Sequence, residues 1–391
     1  MRRLLPALLF SGLLLAAPAA QAQTALKPGT PSILFWSAEQ QEAWYPAIEK
    51  VYKVSTVRRG GPVRPLPKAD REIDPTFSYA GKTYGVSEYM RDYRVAGLLV
   101  LKDGKIVLER YGLGRRPRDR WTSFSVAKSV TSTLVGAAIQ DGYIKSLEDP
   151  VTDYIPELRG SGYDGVNVRQ LLMMSSGVKW NEDYTDPNSD VAQAGAAILE
   201  PGVNPIVSYM RKLPRANPPG TRFTYNTGET DLVGVLVSKA TGKSLARYAS
   251  EKLWKPLGME RDAIWMLDLA GHERGGCCMS ITLRDYGRIG QFMLEGGVGR
   301  GGKRILPEWW TAQATSPQIK EGAPPPGYGY FWWMLADGYA ARGIFGQAIV
   351  TIPNEKLVIV VNSAWPQATG RELSAAQAAM VAAVRQAAKD L

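Results

Sequence analysis

The 391-residue chain has a single histidine and only two cysteines, and each scarcity removes a class of chemistry. One histidine excludes multi-histidine metal sites, and any Ser-His-Asp triad would have to use His272. His272, in Gly271-His272-Glu273-Arg274, reads as a structural or surface residue. Cys277 and Cys278 are neighbours and cannot staple distant segments, so a disulfide framework falls away. Their simplest reading is a pair of small buried apolar side chains. No Gly-x-Ser-x-Gly elbow and no HExxH run occur, and the acidic residues are too scattered for a metal cage. Gly242-Lys243-Ser244 lacks the first P-loop glycine, since position 237 is Val. Gly297 to Gly302 matches GxGxxG by letters but follows a helix-like segment rather than a strand. No metal or cofactor is therefore expected, and proton chemistry must rest on Lys, Tyr, Asp or Glu.

What is present begins with an export pattern. Arg2 and Arg3 precede an apolar run from Leu4 to Ala17, and Ala20-Gln21-Ala22 offers a small-x-small cleavage site. That run, about 14 residues, is shorter than the roughly 20 needed to span a bilayer. We therefore expect a signal peptide over 1–22 and a secreted or periplasmic chain with no membrane span. Cleavage near Ala22 lowers the formal charge from +10 to +8. The densest basic stretch, Arg110 to Arg120, reads as a solvated Gly/Pro-rich loop, and no nucleic-acid motif accompanies it.

Residues 23–75 read as an irregular N-terminal extension punctuated by Pro28, Pro31, Pro62, Pro65 and Pro67, with Leu34 to Trp36 and Trp44 as anchors. Regular texture follows. Val95–Leu101, Asp103-Gly104 and Ile106–Tyr111 spell a β-hairpin. Apolar spacing predicts helices over Ser125–Gln140 and Leu232–Ala240, with Ser244 capping another. Gln347–Ile352 and Leu357–Val361 read as strands, and a last helix runs from about Glu372 to Asp390, with Thr369 and Glu372 spaced as a capping box. Strands at both ends and a mostly helical middle predict an α+β fold: an antiparallel sheet built from both chain ends, flanked by helices, with a helical inserted subdomain.

The surviving constellation is Ser125-Val126-Ala127-Lys128. A helix brings residues three apart onto one face, so Lys128 can reach the Ser125 hydroxyl. A lysine whose pKa is lowered by burial can take the serine's proton. A serine at a helix N-terminus also has free backbone N–H groups nearby for an acyl-transfer oxyanion. The pattern alone is weak, and Ser176-Gly177-Val178-Lys179 is a second copy, placed where a helix runs out into a loop.

The context is more specific. Trp121 to Ser129 resembles the nucleophile region of the serine β-lactamase/DD-peptidase superfamily, class C-like branch. The resemblance continues, in order, through Leu147-Glu148-Asp149-Pro150-Val151, Tyr154 to Leu158, Leu171 to Gly177, Pro219 to Gly228 and Pro256-Leu257-Gly258-Met259. It implies a β-lactamase/transpeptidase-like catalytic domain over 76–391. Tyr225 matches the tyrosine of the family's Tyr-x-Asn motif, although the third position is Thr227. Where the family carries Lys-Thr-Gly or His-x-Gly, this chain has Ala341-Arg342-Gly343-Ile344, which counts against efficient β-lactam hydrolysis. That feature, with Gly275 to Cys278 and Asp285 to Arg288, is similar to the 6-aminohexanoate-dimer hydrolase (nylon-oligomer hydrolase) and esterase group.

By that resemblance Ser125, Lys128 and Tyr225 are the catalytic set, and the backbone N–H groups of Ser125 and Ile344 form the oxyanion hole. Trp180, Tyr184, Asp186, Trp332 and Trp333 are expected to border the substrate cleft. The implied activity is hydrolysis of small esters or short linear amides through an acyl-enzyme. Two alternatives stand beside it: a β-lactamase or D-amino-acid peptidase acting on cell-wall-like substrates, and a non-catalytic binding or sensor domain with the same fold.

Overall fold

The computed structural model describes residues 32–196, 200, 202–389 and 391. The export pattern in residues 1–22 lies outside the described residues. Among those described, no helix is long and apolar enough to cross a membrane.

The expected hairpin forms from Val95–Lys102 and Lys105–Tyr111. Asp103 and Gly104 both take positive φ, as the tight turns that match strand twist require. This hairpin joins the C-terminal strands in a six-stranded antiparallel sheet. Its order is Lys105–Tyr111, Val95–Lys102, Leu357–Ser363, Gln347–Ile352, Tyr339–Gly343, Trp333–Met334. Val95–Lys102 lies directly against Leu357–Ser363, so the sheet is built from both ends of the chain as expected.

Alternation along the strands makes two apolar faces. Leu98, Val100, Ala348, Val350, Ile359 and Val361 pack under the C-terminal helix at Met380 and Val384. Leu99, Leu101, Ile349, Val358 and Val360 pack on the opposite side, against the Val126–Gln140 and Leu283–Leu294 helices. The last helix spans Arg371–Ala387, but the expected capping box is absent: Gly370 is the N-cap and makes no side-chain cap bond. Thr369 stands one residue too early to serve.

Two other expectations are corrected. Residues 23–75 are not uniformly irregular: a short 3-10 turn (Ile33–Phe35), a helix (Ala38–Trp44) and a strand (Val54–Val57) lie within them. That strand is the edge of a second sheet, ordered Val54–Val57, Ala263–Met266, Met279–Thr282, Arg120–Thr122. Segments of three or four residues are too short for periodicity to reveal. Nor is the basic stretch wholly solvated. Arg115 is buried, donating to the Asn362 side chain at 2.7 Å with its guanidinium 5.6 Å from the Trp121 ring. Burial lowers its pKa to about 10. Cys277 and Cys278 pack with the apolar cluster around Phe124 and Phe345, as expected, and the structure joins them to each other as a vicinal disulfide.

Candidate active site

The strand Arg120–Thr122 leads to Ser125, the N-cap of the Val126–Gln140 helix. Ser123 ties this approach to the second sheet, donating its N–H to Met279 O (2.7 Å) and accepting from Met279 N on its hydroxyl (2.9 Å). Phe124 takes φ 42°, an unusual conformation for a bulky residue that turns the chain sharply before the serine. Its ring is braced by Tyr45 at 5.3 Å and by Phe345 at 5.1 Å. Phe345 itself takes φ 59° directly after Ile344. One aromatic contact thus fixes the segments carrying Ser125 and Ile344 against each other. Between them, Gly343 permits a close approach, because a Cβ there would lie 2.6 Å from Ser123 O and 3.0 Å from Ser125 N.

Lys128 lies one helical turn beyond Ser125 and is 1% exposed. Its Nζ donates to Ser125 Oγ (3.1 Å), Thr227 Oγ1 (3.0 Å) and Gly276 O (2.7 Å). Burial lowers its pKa to about 8; the carboxylates of Glu182 and Asp231 oppose that shift, and Arg274 assists it. An amine with this pKa is partly neutral near pH 8 and is already in contact with the hydroxyl it would deprotonate.

Tyr225 immediately precedes the Asn226-capped helix Thr227–Thr241. Its ring stacks on Trp333 at 5.4 Å, and Lys128 Nζ lies 5.3 Å from its centroid. Burial, followed by the Glu182 charge, pushes the phenol's pKa well up, while its hydrogen bond with Ser125 pulls it down. The phenol therefore stays protonated at neutral pH.

One residue escaped sequence reasoning. Glu182 accepts from the Tyr184 hydroxyl (2.9 Å), the Thr227 N–H (3.0 Å), the Thr227 hydroxyl and the Trp180 indole N–H. Its two oxygens are thereby occupied, and the Thr227 hydroxyl connects it to Lys128. The signal was a carboxylate two residues from each of two aromatic donors, Trp180 and Tyr184.

Two cavities meet at the serine. A cleft of about 480 Å³ is lined by Ser125, Glu182, Tyr184, Tyr225, Trp333 and Ile344, among others. A cavity of about 280 Å³ on the other side includes Ser125, Lys128, Tyr184, Thr227, Arg274 and Ile344. Tyr184, Trp333 and Ile344 thus border the site, whereas Trp180, Asp186 and Trp332 line neither cavity. Trp180 stands behind Glu182, its ring edge-on to Tyr209 at 6.4 Å. Asp186 closes a turn, its carboxylate accepting from Asn188 N at 2.8 Å. Trp332 is fully buried, with its ring against Tyr339 at 5.3 Å.

The second Ser-x-x-Lys copy forms no dyad. Ser176 is buried and donates to Glu229, Gly177 takes φ 79°, and Lys179 is exposed. His272 sits on an exposed loop beside Asp268 (3.4 Å), which raises its pKa. Among the described residues no cluster of three or more His, Cys, Asp or Glu is placed to hold a metal ion.

The family model described as Beta-lactamase matches residues 86–383. The 6-aminohexanoate-dimer hydrolase of Paenarthrobacter ureafaciens is 30% identical over 377 residues, covering 92% of this chain and 94% of that protein. A solved Bacillus anthracis protein, provisionally named a 6-aminohexanoate-dimer hydrolase, superposes with a TM-score of 0.81 at 25% identity, covering 94% of this chain and 100% of that one. A family VIII carboxylesterase shares the fold, with a TM-score of 0.57 at 17% identity over 76% of this chain and 96% of that chain.

Proposed function

Because the chain belongs to the β-lactamase family, we propose that it is an exported serine hydrolase that forms an acyl-enzyme on Ser125 and cleaves small esters or short linear amides. The observation that carries this reading is the 3.1 Å contact between Ser125 Oγ and a buried Lys128 amine whose pKa is brought down to about 8. The neutral amine takes the hydroxyl proton as Oγ attacks the carbonyl carbon. The resulting oxyanion is held by the N–H groups of Ser125 and Ile344, the first at a helix N-terminus. Collapse expels the amine or alcohol, which receives its proton through the Tyr225 phenol. Water, deprotonated by the same groups, then attacks the acyl-enzyme and releases the acid.

The likeness to a relative named for a linear amide substrate supports the choice of linear amides and esters. So does Ala341, which puts no cation on the strand's Ser125 face. A fluorophosphonate probe tests the nucleophile: wild type labels and Ser125→Ala does not. Absence of labelling in folded wild type refutes the reading. Turnover of 4-nitrophenyl acetate, nitrocefin and aminohexanoate dimer then ranks the substrates, and nitrocefin turnover exceeding that of the ester would favour a β-lactamase instead.

A further inference from the structure

Among the described residues, the 480 Å³ cleft has a single basic side chain in its lining, Arg342. Side chains alternate along the strand Tyr339–Gly343. Ala341 packs with the core on the Ser125 side and Gly343 abuts Ser125 N, while Ala340 packs on the opposite face, toward the C-terminal helix. Arg342 follows Ala340 in that alternation. It therefore does not replace a strand lysine aimed at the serine; it lines the cleft from the strand's other face, where an adjoining hollow begins.

The cleft reaches it over a free strand edge. Tyr339–Gly343 pairs along its whole length with Gln347–Ile352, but Trp333–Met334 covers its other edge only at Tyr339 and Ala340. Beyond that point the cleft continues past Arg342 to Ser374 and Gln377, which also line an adjoining hollow of about 190 Å³. Arg342 is exposed and, among the described residues, has neither an ion pair nor a hydrogen-bond partner. The nearby Arg385, by contrast, is held by Asp337 (3.0 Å) and Glu355 (2.6 Å). The protein around Arg342 still desolvates it enough to lower its pKa, so it sits in a concavity, accessible yet not surrounded by bulk water. An unpaired guanidinium in such a place binds a planar anion well.

The two cavities divide the substrate. Tyr225 lines the 480 Å³ cleft but not the 280 Å³ cavity. If Tyr225 protonates the leaving group, that group lies in the larger cleft, on the path to Arg342. We propose that Arg342 binds a carboxylate on the leaving-group portion of the substrate, so that the preferred esters and amides release an anionic alcohol or amine. This rests on the acyl-enzyme reading above.

The test compares 4-acetoxybenzoate with 4-acetoxybenzamide, which share the acetyl group and differ in the charge of the departing phenol. Wild type should favour the anionic ester in kcat/KM, and added salt should erode the preference. In Arg342→Gln the anionic-to-neutral ratio should fall about tenfold, mainly through KM, while Arg342→Lys should keep part of it. A ratio within about twofold of wild type in Arg342→Gln overturns the proposal, and equal damage to both substrates gives that same ratio. Failure of the parent reading is separate: Ser125→Ala would hydrolyse both esters as fast as wild type.

Discussion

The state of Lys128 should set the pH profile, and Glu182 gives a way to move it. With a pKa of about 8, Lys128 is neutral in only about one molecule in ten at pH 7. Ester kcat/KM should therefore rise close to tenfold per pH unit below that value and level off above it. Glu182 is the leading charge that holds the ammonium form in place, acting across the Thr227 hydroxyl. For charges roughly 5 Å apart at an effective dielectric of about 20, the attraction is roughly 3 kcal/mol. Solvent at the half-exposed carboxylate reduces it, so Glu182→Gln should lower the acid limb by about one pH unit, or ~1.4 kcal/mol. Glutamine can keep the network by turning its oxygen to the Trp180 and Thr227 N–H groups and its amine to the two hydroxyls. The assay is a kcat/KM profile with a 4-nitrophenyl ester read at the isosbestic wavelength of the product. Arg274→Gln removes a charge of the other sign and should raise the limb above 8. An unmoved limb in both variants, or movement in one common direction, refutes the electrostatic reasoning.

Other outcomes follow from the same geometry. Ser176→Ala should retain substantial ester hydrolysis but take a donor from buried Glu229, costing about 1–2 kcal/mol in urea denaturation. Gly343→Ala should cut kcat in a folded protein, because its Cβ would meet Ser123 O at 2.6 Å and displace the strand from Ser125; unchanged kcat refutes this. Lys128→Met should abolish turnover and flatten part of the stability-versus-pH curve. The pKa falls from 10.5 to about 8 on folding, so between those values the unfolded chain binds more protons and wild-type stability rises with pH. That contribution, up to ~3 kcal/mol, should be missing from the variant in parallel denaturations across the window.

Features with a local signature were legible in the sequence. The Asp103-Gly104 hairpin, the 3–4 spacing behind Ser125 and the apolar strands near the C-terminus each declare themselves within about a dozen residues. The second sheet was not, because its strands are three or four residues long and come from four separated segments. Arg115 was misread for a related reason: its partner Asn362 is 247 residues away. At the site, spacing alone brought Lys128 to Ser125. Trp332 and Trp333 show the limit of a motif, since one is enclosed against Tyr339 and its neighbour faces the cleft. Trp332 stands just before the two-residue strand that Trp333 opens, and so short a strand has no register legible in the sequence.

The departures from the family pattern at Thr227 and Ala341 are best understood through charge. Lys128 is enclosed with Glu182, Asp231 and Arg274 acting on it, so the four formal charges sum to zero when the amine is protonated. Without the two carboxylates, burial would drive the amine's pKa further down and leave its desolvated ammonium unbalanced. With both carboxylates but no Arg274, it would stay higher and fewer molecules would hold a neutral base. Thr227 fits this arrangement because a hydroxyl can accept from Lys128 while donating to Glu182. An asparagine there would need two atoms for the same task, its oxygen toward the ammonium and its amide nitrogen toward the carboxylate. The cation that lines the larger cleft, Arg342, leaves the opposite face of its strand, so it adds no repulsion beside Lys128. A cation at position 341 would face the serine side, where it would depress the amine's pKa further. Base strength and anion recognition are thus separated by one residue of β alternation, and exchanging positions 341 and 342 should couple them.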